Sequence, residues 1–260
     1  MLDRKKTLVY MLLLLAAVSL LVAAFIDPIA QDPSYHRFSD SKTILGIPNA
    51  LNVLSNLPLL IVGAIGLNRL RALRSDSIVT ENKAGYLILF FSVVLVAIGS
   101  SYYHLWPMNS TLLWDRLPMT LAFMSLFSII TSEFISVRWG RYLLVPLLIL
   151  GLLSVSYWYF TELAGVGDLR WYGLIQFYPV LAIPPTLLLS SSPFSKTDAY
   201  WWLFATYLLA KVFEHYDYFI HSMLTVISGH SLKHIAAAAG LYVLLVAYER
   251  RHRYKTTHAA

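Results

Sequence analysis

Eight apolar stretches of about twenty residues dominate this chain, at roughly 8–26, 50–67, 84–104, 112–135, 142–160, 171–190, 199–220 and 230–248. A bilayer core ~30 Å thick takes about 20 apolar helical residues per crossing. Backbone groups in lipid must satisfy one another, so runs of this length are predicted to be helices. Short polar, Pro or Gly segments separate them. Of 260 residues, 58% are hydrophobic and 13% charged, a balance that excludes an ordinary soluble domain. The expectation is an all-α, polytopic transmembrane bundle with no internal repeat and no room for a separate soluble unit.

The basic excess points to topology. Lys and Arg lie mainly in the short connections, where cationic loops stay on the cytoplasmic side. With a cytoplasmic N-terminus, fourteen of the twenty fall in inside segments: Arg4, Lys5 and Lys6; Arg69, Arg71, Arg74 and Lys83; Arg138 and Arg141; Lys196; and Arg250, Arg251, Arg253 and Lys255. Only Arg37, Lys42, Arg116, Arg170 and Lys233 are outside or at outer helix ends, and Lys211 lies within a span. Both termini are therefore expected to be cytoplasmic, and a nucleic-acid partner is not inferred. The first run follows three cations and also reads as a signal peptide, with Ala24 or Ala30 near a cut that would leave the other spans oriented identically. Cysteine is absent, so a bound metal must use imidazole, carboxylate or water.

Ionisable groups in a span face the bundle interior, pair, or perform chemistry, because exposing them to lipid costs on the order of a few kcal/mol each. His104 ends the third run, Asp115 opens the fourth, and His230 and His234 open the eighth. The alternation of spans sends all four to the outer side. Ser100 and His104, in GSSYYHL, are four apart and share a helical face. His230 and His234, in HSLKH, have the same spacing, which lets two imidazoles reach one ion. A lone His pair more often bonds between helices; a third His and an Asp at the same depth favour a metal. Three imidazoles plus water complete a tetrahedral Zn2+ shell with one exchangeable position. A rival serine-nucleophile triad of Ser100, His104 and Asp115 leaves two histidines unused and has no G-x-S-x-G turn.

Other polar groups take supporting roles. Asn49, Asn52, Ser55 and Asn56 recur at spacings of three and four along one face of the second helix, as helix-packing groups or as supports for the metal ligands. Lys211, Glu214 and Asp217 are read as one face carrying a mutually neutralising pair, with a proton path as the alternative. His36, His215, His221, His252 and His258 are excluded as ligands by position. Trp171, Trp201 and Trp202 read as interfacial anchors.

GSSYYH, WDRLPMT and GHSLKH, in that order, resemble the alkaline ceramidase family, within the wider superfamily of seven-span hydrolases that includes the adiponectin-type receptors. The likeness runs from about Tyr35 through the last helix. It implies a seven-helix membrane hydrolase domain over 28–249, preceded by an extra N-terminal anchor or signal over 1–27 and followed by a basic cytoplasmic tail over 250–260. It implies zinc held by His104, His230 and His234, with Asp115 and Ser100 as catalytic groups, and cleavage of the amide bond of a ceramide-like lipid that enters from the bilayer. No protein partner follows from it. Eukaryotic ceramidases hold Ca2+ with an acidic, tryptophan-containing N-terminal segment, whereas this chain has DPSYHRFSD and then GIPNALN. Asp32 and Asp40 are acidic, but Asn49 stands where those enzymes use a carboxylate, which argues against calcium and against a narrow assignment to ceramide. The alternatives are a zinc-stabilised receptor or scaffold with little turnover, and a proton-coupled transporter using Lys211, Glu214 and Asp217.

Overall fold

The computed structural model describes residues 2–71 and 75–254. Arg74, Lys255 and His258 lie outside the described residues, as does most of the 250–260 tail. Ten α-helices follow one another: α1 (Leu2–Phe25), α2 (Ala50–Leu54), α3 (Leu57–Arg71), α4 (Lys83–Leu105), α5 (Asn109–Ile130), α6 (Val137–Leu163), α7 (Arg170–Leu189), α8 (Ala199–His215), α9 (Asp217–Leu224) and α10 (Gly229–Arg250). A π-helical turn, Thr131–Ile135, extends α5. No strand occurs among the described residues, so the fold is the expected all-α polytopic bundle.

Among the described residues, seven helices are long and apolar enough to span a membrane, one of them the N-terminal helix and one the joined α2–α3 stretch. The seventh expected span, 199–220, is shorter. At 17 residues, α8 measures about 26 Å, because the chain breaks at Tyr216 before resuming as α9. The second expected span also breaks, at Ser55 and Asn56. Pro58 explains this: it has no N–H for the Leu54 carbonyl, yet is tolerated in the first turn of α3. Each break places polar backbone and side chains at one end of the bundle, the end that carries the histidines.

In the bundle, α4 packs between α3 and α5, and α10 between α3 and α8. The extra α1 lies against α7, burying Leu8 and Leu12 in the core, and its Leu12 carbonyl accepts a 3.1 Å bond from the Tyr178 hydroxyl. Outward positions such as Leu153, Phe160, Leu181 and Trp202 stay exposed, as lipid-facing positions do.

The end of the bundle opposite the histidines is closed by a buried ion pair. Arg251 holds Glu133 through Nη2–Oε1 at 2.5 Å and Nη1–Oε2 at 3.0 Å. Tyr86 donates its hydroxyl to Glu133 at 2.6 Å, and the guanidinium lies over the rings of Phe194 and Tyr248. Arg251 is only 4% exposed, which corrects its expected place in a solvated basic tail. The carboxylate opposite raises its already high pKa further against the opposing cost of burial.

Candidate metal centre

Two glycines set the spacing of the helices that carry the histidines. At Gly99 of α4 an added Cβ would run into the backbone of Trp114 on α5, so the two helices touch main chain to main chain. Ser100 and Asp115 are the next residues along each, and their side chains interact. At Gly229, the first residue of α10, a Cβ would meet the carbonyl of Phe213 on α8. His230 follows directly.

The three histidines converge. His104, His230 and His234 are all buried, and one nitrogen of each lies within 4.8 Å of the others. His104 Nε2 and His230 Nε2 face each other at 3.3 Å. Two nitrogens bound at about 2.0–2.1 Å to one tetrahedral ion stand about 3.3–3.4 Å apart, so this separation fits two ligands of one zinc. The Nδ1 of His234 bonds the Ser55 hydroxyl at 2.8 Å, leaving Nε2 for an ion. The Nδ1 of His104 is buried without a hydrogen-bond partner among the described residues. The two facing nitrogens either share one proton in an N–H···N bond or ligate one cation, and the all-nitrogen donor set suits a borderline metal such as zinc. The residues present can therefore hold a metal ion.

The Asn- and Ser-bearing face of α2 supports this cluster from one side. Asn49 donates to the His104 carbonyl at 2.7 Å, and Ser55 fixes the His234 ring. Asn52 accepts from Ser231 at 2.8 Å and donates to the Asp40 carbonyl at 2.9 Å, tying the start of α10 to the preceding loop. Asn56 donates to the Asn52 carbonyl at 3.0 Å. Ligands whose free ring nitrogen and backbone are held in this way keep their orientation.

Asp115 and Ser100 stand outside the tight three-nitrogen group but line the adjoining cavity with His234 and Lys233. This cavity holds about 360 Å³. Beyond its polar end it is walled by Leu59, Val93, Phe123, Ile183, Phe204 and Leu241 from α3, α4, α5, α7, α8 and α10.

Several placements differ from expectation. Asp217 does not share a face with Lys211 and Glu214, because the break at Tyr216 turns it away. Its carboxylate accepts instead from the backbone N–H of His230 at 2.7 Å and of Ser39 at 3.0 Å, clamping α10 to the N-terminal loop. Glu214 is bridged by two lysines rather than one, Lys211 at 2.8 Å and Lys233 at 2.6 Å. Lys233 had been read only as a topology cation. His221 bonds Ser39 at 2.6 Å and is no part of the cluster. His36 bridges the Tyr103 hydroxyl and Asn109 Oδ1, each at 3.0 Å, and burial holds its pKa below the usual imidazole range.

Sequence reasoning also missed Phe38, whose ring packs 4.7 Å from His104 and 4.8 Å from His230, centroid to centroid. A loop residue outside any periodic pattern gives no signal of that contact. Compared with protein-family models, curated proteins and solved structures, the chain finds no match.

Proposed function

We propose that this protein is a zinc-dependent integral-membrane amidohydrolase that cleaves a ceramide-like lipid amide to a free fatty acid and an amine. The observation that carries the reading is the buried trio of His104, His230 and His234, with facing nitrogens 3.3 Å apart, at the polar end of an apolar cavity lined by Asp115 and Ser100. The ordered GSSYYH, WDRLPMT and GHSLKH motifs, similar to those of alkaline ceramidases, support the same reading.

The three imidazoles hold the ion. When bound, zinc makes water acidic enough to ionise near pH 7 and polarises a carbonyl. The chain's own groups do the rest. Asp115 accepts a proton from the attacking water and returns it to the departing amine nitrogen, so that water adds across the C–N bond as it breaks. Ser100 donates a hydrogen bond to the carbonyl oxygen as it gains charge. The apolar cavity walls take the acyl chain, with the lipid entering from the bilayer. The distribution of Lys and Arg orients both termini to the cytoplasm and the histidines to the opposite face.

Purified protein and its His230→Ala variant test this by bound metal and released fatty acid. The expected result is zinc near one equivalent in the wild type, loss of metal from the variant, and loss of fatty-acid release with it. Equal metal and equal release in both proteins would reject the reading.

A further inference from the structure

Arg116 follows Asp115 on α5 and is only 6% exposed. It has no carboxylate partner among the described residues. Its Nη2 donates to Gln31 Oε1 at 2.6 Å, a neutral acceptor. Its Nη1 is buried with no hydrogen-bond partner among the described residues. The nearby Glu162 carboxylate is taken up elsewhere, accepting from the Gln31 backbone N–H at 2.6 Å and from Trp158 Nε1 at 3.1 Å. The guanidinium is packed among aromatic rings, 4.3 Å from Trp158, 4.8 Å from Tyr172 and 5.6 Å from Tyr35. Those contacts orient it and stabilise its charge without supplying a hydrogen-bond acceptor for Nη1. A buried charge with an unmet donor is costly unless an anion meets it.

Arg116 lines the same cavity as Asp115 and His234. The charged groups around that cavity are Arg116, Lys211 and Lys233 against Asp115 and Glu214, an excess of one positive charge. Both oxygens of Glu214 are held by the two lysines. Arg116, with Nη1 unpaired, is thus the cation lining this cavity that has no carboxylate partner among the described residues, and a bound metal ion would only add to the positive excess. A neutral amine portion would leave that donor unmet; a carboxylate or phosphate would meet it with a charge-assisted bond.

We propose that Arg116 is a specificity residue for the amine side of the substrate, and that this cavity takes N-acyl lipids whose amine portion carries an oxyanion. The acyl chain lies along the apolar walls, the amide sits by His234 and Asp115, and the anion meets the guanidinium of Arg116. This rests on the reading of the site as a lipid amidase, but its test does not need turnover.

Binding is measured on chelator-treated protein in detergent, with three lipids of one acyl length: an N-acylglycine, an N-acylethanolamine phosphate and the neutral N-acylethanolamine. The expected result is that at least one anionic lipid binds about tenfold or more tighter than the neutral one, as a charge-assisted bond to a buried donor gives. Preference for the first or the second anionic lipid assigns a carboxylate or a phosphate. Arg116→Gln is expected to abolish the preference while leaving neutral-lipid affinity unchanged, and Lys211→Gln to retain it. Equal binding of all three lipids by the wild type, which requires no variant, would overturn the proposal. So would a preference that survives Arg116→Gln. If the anionic preference holds but no lipid is hydrolysed by the metal-loaded protein, the amidase reading fails and the binding assignment stands.

Discussion

At the residue scale, the centre depends on groups that never touch the metal themselves. The Ser55 hydroxyl is the partner of His234 Nδ1 and also bonds the Asn52 carbonyl, so it fixes both the tautomer and the tilt of the ring. Removing such a partner costs about 10–100-fold in metal affinity. Ser55→Ala is therefore expected to bind zinc more weakly by that range in a chelator competition, with the helical circular dichroism unchanged. Unchanged affinity would mean that the hydroxyl serves only the turn at the end of α2. Asn56 makes no such bond, and its Oδ1 is buried without a partner among the described residues. A spacing argument treats Ser55 and Asn56 alike; only the rotation of each side chain separates them.

At the element scale, Ser100 and Asp115, the proposed catalytic groups, are brought together by close helix approach. A backbone-to-backbone contact cannot yield to a side chain, so a methyl at Gly99 must push α4 and α5 apart between Ser100 and Asp115. Gly173 of α7 has nothing within 4 Å of its added Cβ, and there alanine removes only the flexibility of the unfolded chain. The pair makes an internal control. Gly173→Ala is expected to be neutral or stabilising by about 0.4–1 kcal/mol. Gly99→Ala is expected to lower thermal stability by about 1–3 kcal/mol, as overpacking does, and to reduce fatty-acid release more than zinc content. The two melting curves, taken with metal analysis, check it.

At the scale of the whole molecule, the bundle has two buried polar ends with different duties. One holds the histidines under Phe38; the other is sealed by Glu133 and Arg251, whose side chains are 0% and 1% exposed. Breaking a buried pair by neutralising one partner leaves the other charge stranded, at about 3–5 kcal/mol. Glu133→Gln is expected to destabilise the protein by that amount in thermal unfolding, while zinc content per folded molecule stays at the wild-type level. Loss of metal at unchanged stability would show instead that the two ends are coupled through the bundle.

Hydrophobic run length alone determined the helical, membrane-spanning character of this chain, because a ~30 Å apolar solvent admits few other backbones. The i, i+4 spacings of Ser100 with His104 and of His230 with His234 were equally legible, since helix geometry fixes which residues share a face. That His104 from α4 meets the pair from α10 was an expectation from depth, and only packing could bring the rings to 3.3 Å. Long-range contacts decided the rest. The break at Tyr216 sent Asp217 to the His230 backbone, α10 delivered Lys233 to Glu214, and a loop laid Phe38 across two imidazoles. Arg116 shows the division most plainly. Its sequence position marked it only as a cation at an outer helix end; whether its charge had a partner depended on how residues far apart in sequence filled the space around it.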